Sequence, residues 1–296
     1  MRGWIHADGD RSLALRTGGG YRARLHALVQ EEVGLADLLS LNDVSKSYTA
    51  ITGEVVEAIR GVSFDLHERE VLTLVGPSGC GKSTILRLIA GVEKPSSGSI
   101  ERRAAGGKFV VGYIFQDSSL MRWRTVYGNI KLPMEILGKK GAEAKISELV
   151  KLINLEGFEN AYPIELSGGM QRRVAVARAL VHDPSVLLMD EPFTGVDEIT
   201  KEILQTELNF VIRSLKMTGV LVTHDIDEAV YLGDRILVLS AHPGRIVEEI
   251  SVDLPEIREP VIKTEERFTR YTKEIREKLN LLHPLRLSRR PANAPA

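Results

Sequence analysis

Two short stretches of this chain combine glycines with residues suited to holding phosphate. The first, Gly76-Pro77-Ser78-Gly79-Cys80-Gly81-Lys82-Ser83-Thr84, fits G-x-x-x-x-G-K-[ST] at every fixed position. Its glycines let the backbone curl until successive N–H groups point at one anion. Lys82 then serves the β and γ phosphate oxygens, and the Ser83 hydroxyl ligates Mg²⁺. The second stretch, Leu166-Ser167-Gly168-Gly169-Met170-Gln171, opens a helical segment and offers a further set of N–H groups to an anion. One nucleotide rarely needs two such cradles from the same subunit. The second is therefore read as serving the nucleotide of a neighbouring copy.

Asp190 and Glu191 follow the apolar run Val186-Leu187-Leu188-Met189. Two carboxylates at a strand end can divide the work, with Asp190 in the Mg²⁺ shell and Glu191 orienting and deprotonating the attacking water. His224 stands directly after Leu221-Val222-Thr223, at the kind of strand end where ligands meet open α/β sheets. There it could contact the γ-phosphate and hold the water, although a lone histidine is as readily a structural one. Gln116 also follows a strand, and its amide can sense Mg²⁺ and water without titrating. Tyr48, ahead of the phosphate loop, either stacks on the adenine ring or packs within a small sheet. Cys80 lies at a helix start, where the dipole favours a thiolate. That predicts inhibition by alkylating agents and protection by MgATP, unless Cys80 merely fills an unconstrained loop position.

These residues need a scaffold, and the hydrophobic pattern supplies one. Val71-Leu72-Thr73-Leu74-Val75 is a continuous apolar strand of the kind buried on both faces of a parallel sheet. The glycine loop follows, then a helix over 82–90, which is the context that a phosphate loop requires. Short partly alternating segments at 41–48 and 55–66 predict strands, with Val62, Phe64 and Leu66 on one face. A strand is expected over 109–115. The region of about 117–181 is helical in period, most clearly at 142–153 and 170–181. Strands return at 186–189, 220–223 and 236–239, separated by helices at about 201–216 and 227–232. A short β segment at 245–252 and a charged helix at 265–282 complete the pattern. This is an α/β core interrupted by a helical insertion.

Composition bounds the rest. The chain has 296 residues, 43% hydrophobic and 27% charged, with a formal net charge of −1, which is an ordinary globular balance. Near-neutrality gives no electrostatic reason to expect nucleic acid as a partner. One cysteine excludes an internal disulfide framework and suggests a reducing compartment. No apolar run approaches the roughly 18 residues of a membrane span, so a membrane role is expected to be peripheral. Residues 1–39 are expected to be a flexible extension; Leu25, Leu28, Val29 and Leu35 offer a short amphipathic helix as the alternative. The ATPase unit is placed at 40–250, with its helical subdomain at about 117–181. Residues 251–296 are read as a C-terminal extension with a frayed end.

Tyr48, Gly76 to Thr84, Gln116, Leu166 to Gln171, Asp190-Glu191, Asp197 and His224 occur in the order of the ATP-binding cassette (ABC) ATPase family. They resemble its A-loop, Walker A, Q-loop, signature, Walker B, D-loop and H-loop, across about residues 41–247. The resemblance implies a P-loop NTPase (RecA-like) core with an N-terminal antiparallel β subdomain and an inserted α-helical subdomain. It implies ATP and Mg²⁺, the metal held by Ser83, Gln116 and Asp190, and catalysis by Glu191, His224 and Gln116. It also implies a head-to-tail homodimer, each ATP lying between one copy's Walker A and the other's Leu166, Ser167, Gly168, Gly169 and Gln171.

A finer resemblance is to the ATPase subunits of nitrate, sulfonate and taurine importers. It rests on Phe115-Gln116-Asp117, on Leu120 to Val126, on Val222 to Ala229 and on Pro243-Gly244-Arg245-Ile246. It implies a separate permease, contacted by Trp123, and indirectly a periplasmic or lipoprotein solute-binding protein. The site would be the cytoplasmic face of the bacterial inner membrane. Arg122 stands where that group commonly has proline, and Phe193-Thr194-Gly195-Val196-Asp197 keeps the aspartate but not the usual Gly-Ala-Leu before it. A soluble ABC ATPase serving DNA repair or translation is the competing class. Such proteins typically carry tandem cassettes or long coiled-coil insertions, and this chain has one cassette and no sustained heptad run. A P-loop kinase or GTPase accounts for neither the signature nor His224.

Overall fold

The structure, a computed structural model, describes residues 37–103 and 108–282. The amphipathic segment at Leu25 to Leu35 and the frayed end beyond 282 lie outside the described residues. Nine strands and seven α-helices are described.

Three strands form an antiparallel sheet in the order β2-β1-β4: β1 Asp37–Thr49, β2 Val55–His67 and β4 Ser97–Arg102. Val62, Phe64 and Leu66 all bury one face of β2, as their alternation predicts. β4 is not visible in the sequence pattern, because Ser-Gly-Ser-Ile-Glu-Arg offers one apolar residue. Its order comes from pairing with β1, and from Arg102, whose guanidinium caps the helix Lys82–Ile89 (α1) at the carbonyls of Leu88 (2.7 Å) and Ile89 (3.1 Å).

The second sheet has six strands in the order β5-β6-β7-β3-β8-β9: β3 Val71–Val75, β5 Val111–Ile114, β6 Val186–Asp190, β7 Gly219–Thr223, β8 Arg235–Leu239 and β9 Ile246–Ser251. All pairs are parallel except β8 with β9. Every residue of β3 and β7 is buried, which is why these strands read as unbroken apolar runs. The expected strand over 109–115 shrinks to four residues, since only those pair with β6.

Between β5 and β6 lie α2 Val126–Ile136, α3 Glu143–Leu152 and α4 Gly168–Leu180. Ile130, Ile146, Leu149, Val150, Val174 and Ala177 share one buried cluster with the parallel sheet. Helices α5 Glu198–Ser214 and α6 Ile226–Leu232 complete the α/β alternation. The last helix, α7 Glu266–Leu282, buries Phe268, Tyr271 and Ile275 in that same cluster.

Candidate functional site

Parallel pairing sets the site. Val75 is in register with Thr223, and Asp190 with Val222. The residues that follow β3, β6, β7 and β5 are Gly76, Glu191, His224 and Phe115-Gln116, so the sheet delivers them all to one edge. Residues separated by more than a hundred positions in the chain meet there because their strands end together.

The loop after β3 folds as its glycines require. Gly81 has φ +93°, and a Cβ there would stand 2.4 Å from Ile59 Cγ2, so a side chain is excluded both by backbone conformation and by space. Lys82 is buried, and its ammonium donates to the carbonyls of Gly76 (2.8 Å) and Pro77 (3.0 Å). Ser83 Oγ donates to Asp190 Oδ1 at 2.8 Å, and the Tyr113 hydroxyl donates to Asp190 Oδ2 at 3.1 Å. Burial, with the Asp190 charge behind it, pushes the Tyr113 hydroxyl pKa up, so Tyr113 stays a proton donor to that carboxylate. Cys80 departs from expectation. Its thiol is fully buried beneath the loop, and burial pushes its pKa up despite nearby Lys82. Desolvation outweighs the helix dipole and favours the neutral thiol over the expected thiolate.

Glu191 sits at φ +46°, a strained turn for a residue other than glycine or asparagine. Its amide donates to Val222 O at 2.9 Å, which ties the turn to β7. Its Oε2 accepts from Thr194 Oγ1 at 3.1 Å and lies 3.2 Å from His224 Nδ1. A cleft beside it is lined by Ser78, Gly79, Gly81, Lys82, Ser83 and Glu191, with Ala58, Thr84 and Arg87. Gln116 is exposed and is held by its backbone, where its carbonyl accepts from Arg172 at 3.1 Å. Its side chain is not joined to Ser83 or Asp190. Tyr48 is the next-to-last residue of β1, and its hydroxyl donates to Glu93 Oε2 at 2.6 Å, with the Lys46 ammonium 5.1 Å from the ring centroid.

Ser167 caps α4, its hydroxyl accepting from Met170 N at 3.2 Å, as a serine at this position should. A Cβ on Gly168 would meet nothing within 4 Å, so the helix start is open. The Gln171 amide turns back to the carbonyls of Pro163 (2.9 Å) and Leu166 (3.3 Å), bracing the turn that precedes the cap. Asp197 caps α5 by accepting from Thr200 N at 3.0 Å, and that bond holds its carboxyl below the usual range.

A family model described as "ABC transporter" matches residues 59–194. The chain is 43% identical to an uncharacterised ABC transporter ATP-binding protein of Methanocaldococcus jannaschii, over 82% of this chain and 91% of that one. The chain belongs to the ABC transporter ATP-binding family. The cassette is also 43% identical to an aliphatic sulfonates import ATP-binding protein of Bacillus cereus, over 81% of this chain and 94% of the relative. A namesake in Pseudomonas syringae is 42% identical over 73% and 90%. Among solved structures it is similar to an ATP-binding cassette in a dimeric post-hydrolysis state with ADP and Pi, at 31% identity and TM-score 0.62, over 73% of this chain and all of that one. A ABC transporter component from Clostridium perfringens follows at 26% identity and TM-score 0.64, over 84% and 96%.

The cassette is an ATP-hydrolysing enzyme with a P-loop NTPase fold. The Ser83 hydroxyl and Asp190 carboxylate, in direct contact at the loop, are hard oxygen donors of the type Mg²⁺ takes together with phosphate oxygens and water. Several site residues escape sequence reasoning. Tyr113 and Thr194 hold the two acidic side chains, and Glu93 holds Tyr48. Asn129, fully buried, bonds Met121 N (2.7 Å) and the carbonyls of Met121, Arg124 and Thr125, and so shapes the loop that exposes Trp123. Each acts through a tertiary contact that has no local spacing signal. Among the described residues no helix is long and apolar enough to cross a membrane.

Proposed function

We propose that the cassette energises uptake of a small anionic or zwitterionic solute of the sulfonate, nitrate or taurine type through a separate membrane permease. The observation that carries the reading is the likeness to aliphatic sulfonate import ATP-binding proteins across nine-tenths of their length. Two copies pair head to tail, so that the open α4 start of one, at Leu166, Ser167, Gly168 and Gly169, faces the nucleotide on the other's loop from Gly76 to Thr84. Tyr48 stacks on the adenine. Lys82 leaves the carbonyls of Gly76 and Pro77 for the phosphate oxygens. Ser83 and Asp190, joined by Gln116 once its side chain turns inward, would hold Mg²⁺, which supplies positive charge to the phosphates.

Glu191 takes a proton from a water whose oxygen bonds to the γ-phosphorus. The bond from that phosphorus to the β–γ bridging oxygen breaks, giving ADP and phosphate. His224 holds Glu191 and the water in line. The γ-phosphate bridges two subunits while ATP is intact, and its release reopens the dimer. The exposed Trp123, between Arg122 and Arg124, meets the permease on the cytoplasmic face of the inner membrane, and a solute-binding protein delivers cargo from the other side. Aromatic and arginine side chains suit such an anchor.

Reconstitution with the permease in proteoliposomes tests this. A solute-binding protein loaded with an alkanesulfonate should stimulate ATP hydrolysis and drive uptake. Stimulation by nitrate alone moves the solute class, and ATPase activity indifferent to any permease rejects the importer reading.

A further inference from the structure

Arg172, in the first turns of α4, sends its guanidinium to three backbone carbonyls on two separate segments. It donates to Gln116 O at 3.1 Å, to Pro192 O, and to Thr194 O at 2.6 Å. The first carbonyl belongs to the loop that leads toward Trp123. The other two belong to the turn immediately after Glu191. Further along the same helix, Arg178 donates to Ser118 O and Ser119 O, both at 2.8 Å. Two arginines of α4 therefore anchor the 116–119 loop, but only Arg172 also grips the turn that carries the catalytic carboxylate. A planar guanidinium with five donors can serve carbonyls in several directions at once, and charged donors make the stronger bonds.

We propose that Arg172 is a positioning residue that links the loop at Gln116 to the turn at Glu191, so that the signature helix, the permease-side loop and the catalytic carboxylate move as one body. The proposal rests on reading Glu191 as the base and the Trp123 loop as facing the permease. Arg172 contacts no part of the phosphate loop, so its loss should disturb the alignment of Glu191 without weakening nucleotide binding. A bland alternative is that Arg172 fills the small apolar cavity beside Val176, Phe193 and Leu204. Methionine in its place keeps that packing and removes every donor.

The test compares Arg172→Met, Arg178→Met and Glu191→Gln in the full chain. Three quantities are read: kcat, KM for ATP, and the initial rate of tryptic cleavage after the exposed Arg122. Arg172→Met should lower kcat about tenfold or more with KM within about twofold, and should speed cleavage after Arg122. Arg178→Met should speed the same cleavage while kcat stays within about twofold. If Arg172→Met fails to fold, Arg172→Lys, which keeps the charge on a single nitrogen, is read by the same criteria. Unchanged kcat or unchanged cleavage in the Arg172 variant overturns the link. An equal loss of kcat in the Arg178 variant also overturns it, because loop anchoring in general would then be the cause. Retained turnover in Glu191→Gln rejects the base assignment instead and leaves the link to be judged on the cleavage rates.

Discussion

His224 Nδ1 lies 3.2 Å from Glu191 Oε2, and the two residues follow the neighbouring strands β7 and β6. Because the strands are parallel and in register, the pair forms without any local sequence relationship. Thr194 Oγ1 donates to the same Oε2, so Thr194 and His224 both approach one oxygen of the carboxylate. Glu191→Gln should lower kcat by at least about a hundredfold, the range expected for loss of a general base. His224→Ala should cost less, since it orients the base. The double variant should be little worse than Glu191→Gln alone, because both act on one step. Steady-state ATPase assays decide it, and multiplicative losses would sink the pairing.

In the proposed head-to-tail dimer, Ser167 belongs to the half-site that a subunit presents to its neighbour. Ser167→Arg should therefore abolish hydrolysis while leaving nucleotide binding to the isolated subunit intact. A sharper outcome follows from the composite geometry. A dimer of one Ser167→Arg chain and one Glu191→Gln chain contains one site with an intact base and an intact signature. Mixing the two inactive variants should restore turnover, to about a quarter of the normal rate if chains pair at random and sites act independently. A mixture as inactive as its parts would show that each subunit completes its own site.

Most of this site is legible in the sequence because its parts are local. A glycine loop between a buried strand and a helix, and carboxylates after four apolar residues, carry their own context. What stays hidden are contacts made by folding. Tyr113 reaches Asp190 only because β5 pairs with β6. The polar strand β4 exists only through β1. Cys80 shows the opposite failure. Its position at a helix start suggests reactivity, and full burial by the surrounding fold opposes it by pushing the thiol pKa up. Spacing predicts which groups share an element, and depth requires the structure.

Glu228 lies in the first turn of α6 and is buried. Its Oε2 accepts from Thr223 Oγ1 at 2.9 Å, and its Oε1 has no hydrogen-bond partner. Burial pushes its pKa up to about 8, with the Thr223 bond and Lys201 opposing, and Asp225 and Glu191 adding to the rise. The folded value thus exceeds the ordinary 4.5. Between the two values the native state keeps a proton that the unfolded chain has released. Glu228 therefore contributes stability fully below about pH 4.5, and that contribution is lost as pH rises toward 8. Glu228→Gln, a permanent neutral analogue, should gain stability relative to the parent between pH 5 and pH 8.5. Denaturant midpoints across that range measure it, and parallel curves for the two proteins would reject a protonated Glu228.

Arg258 secures the C-terminal segment to the core by one buried side chain. It is 1% exposed, and Nη1 donates to the carbonyls of Val230 (3.0 Å), Tyr231 (3.0 Å) and Gly233 (2.8 Å). These are the last carbonyls of α6, the helix that begins two residues after His224, where a cation is favoured. Its other terminal nitrogen lies 3.3 Å from Asp234 Oδ1, which also accepts from Arg213 at 2.6 Å. Removing Arg258 would leave Asp234 with Arg213 and the Val71 amide, but would take the Arg258 donor from three buried carbonyls. A buried acceptor left without its donor typically costs about 1–3 kcal/mol. Arg258→Met should therefore lower the unfolding free energy by about 3 kcal/mol or more. It should also release α7 from its packing first, seen as faster amide exchange in Glu266–Leu282 than in the buried strands. Arg258→Lys should recover only part of the loss, since one ammonium cannot replace a fork that serves both the carbonyls and Asp234. A methionine variant as stable as the parent would mean that the segment is held by Phe268, Tyr271 and Ile275 alone.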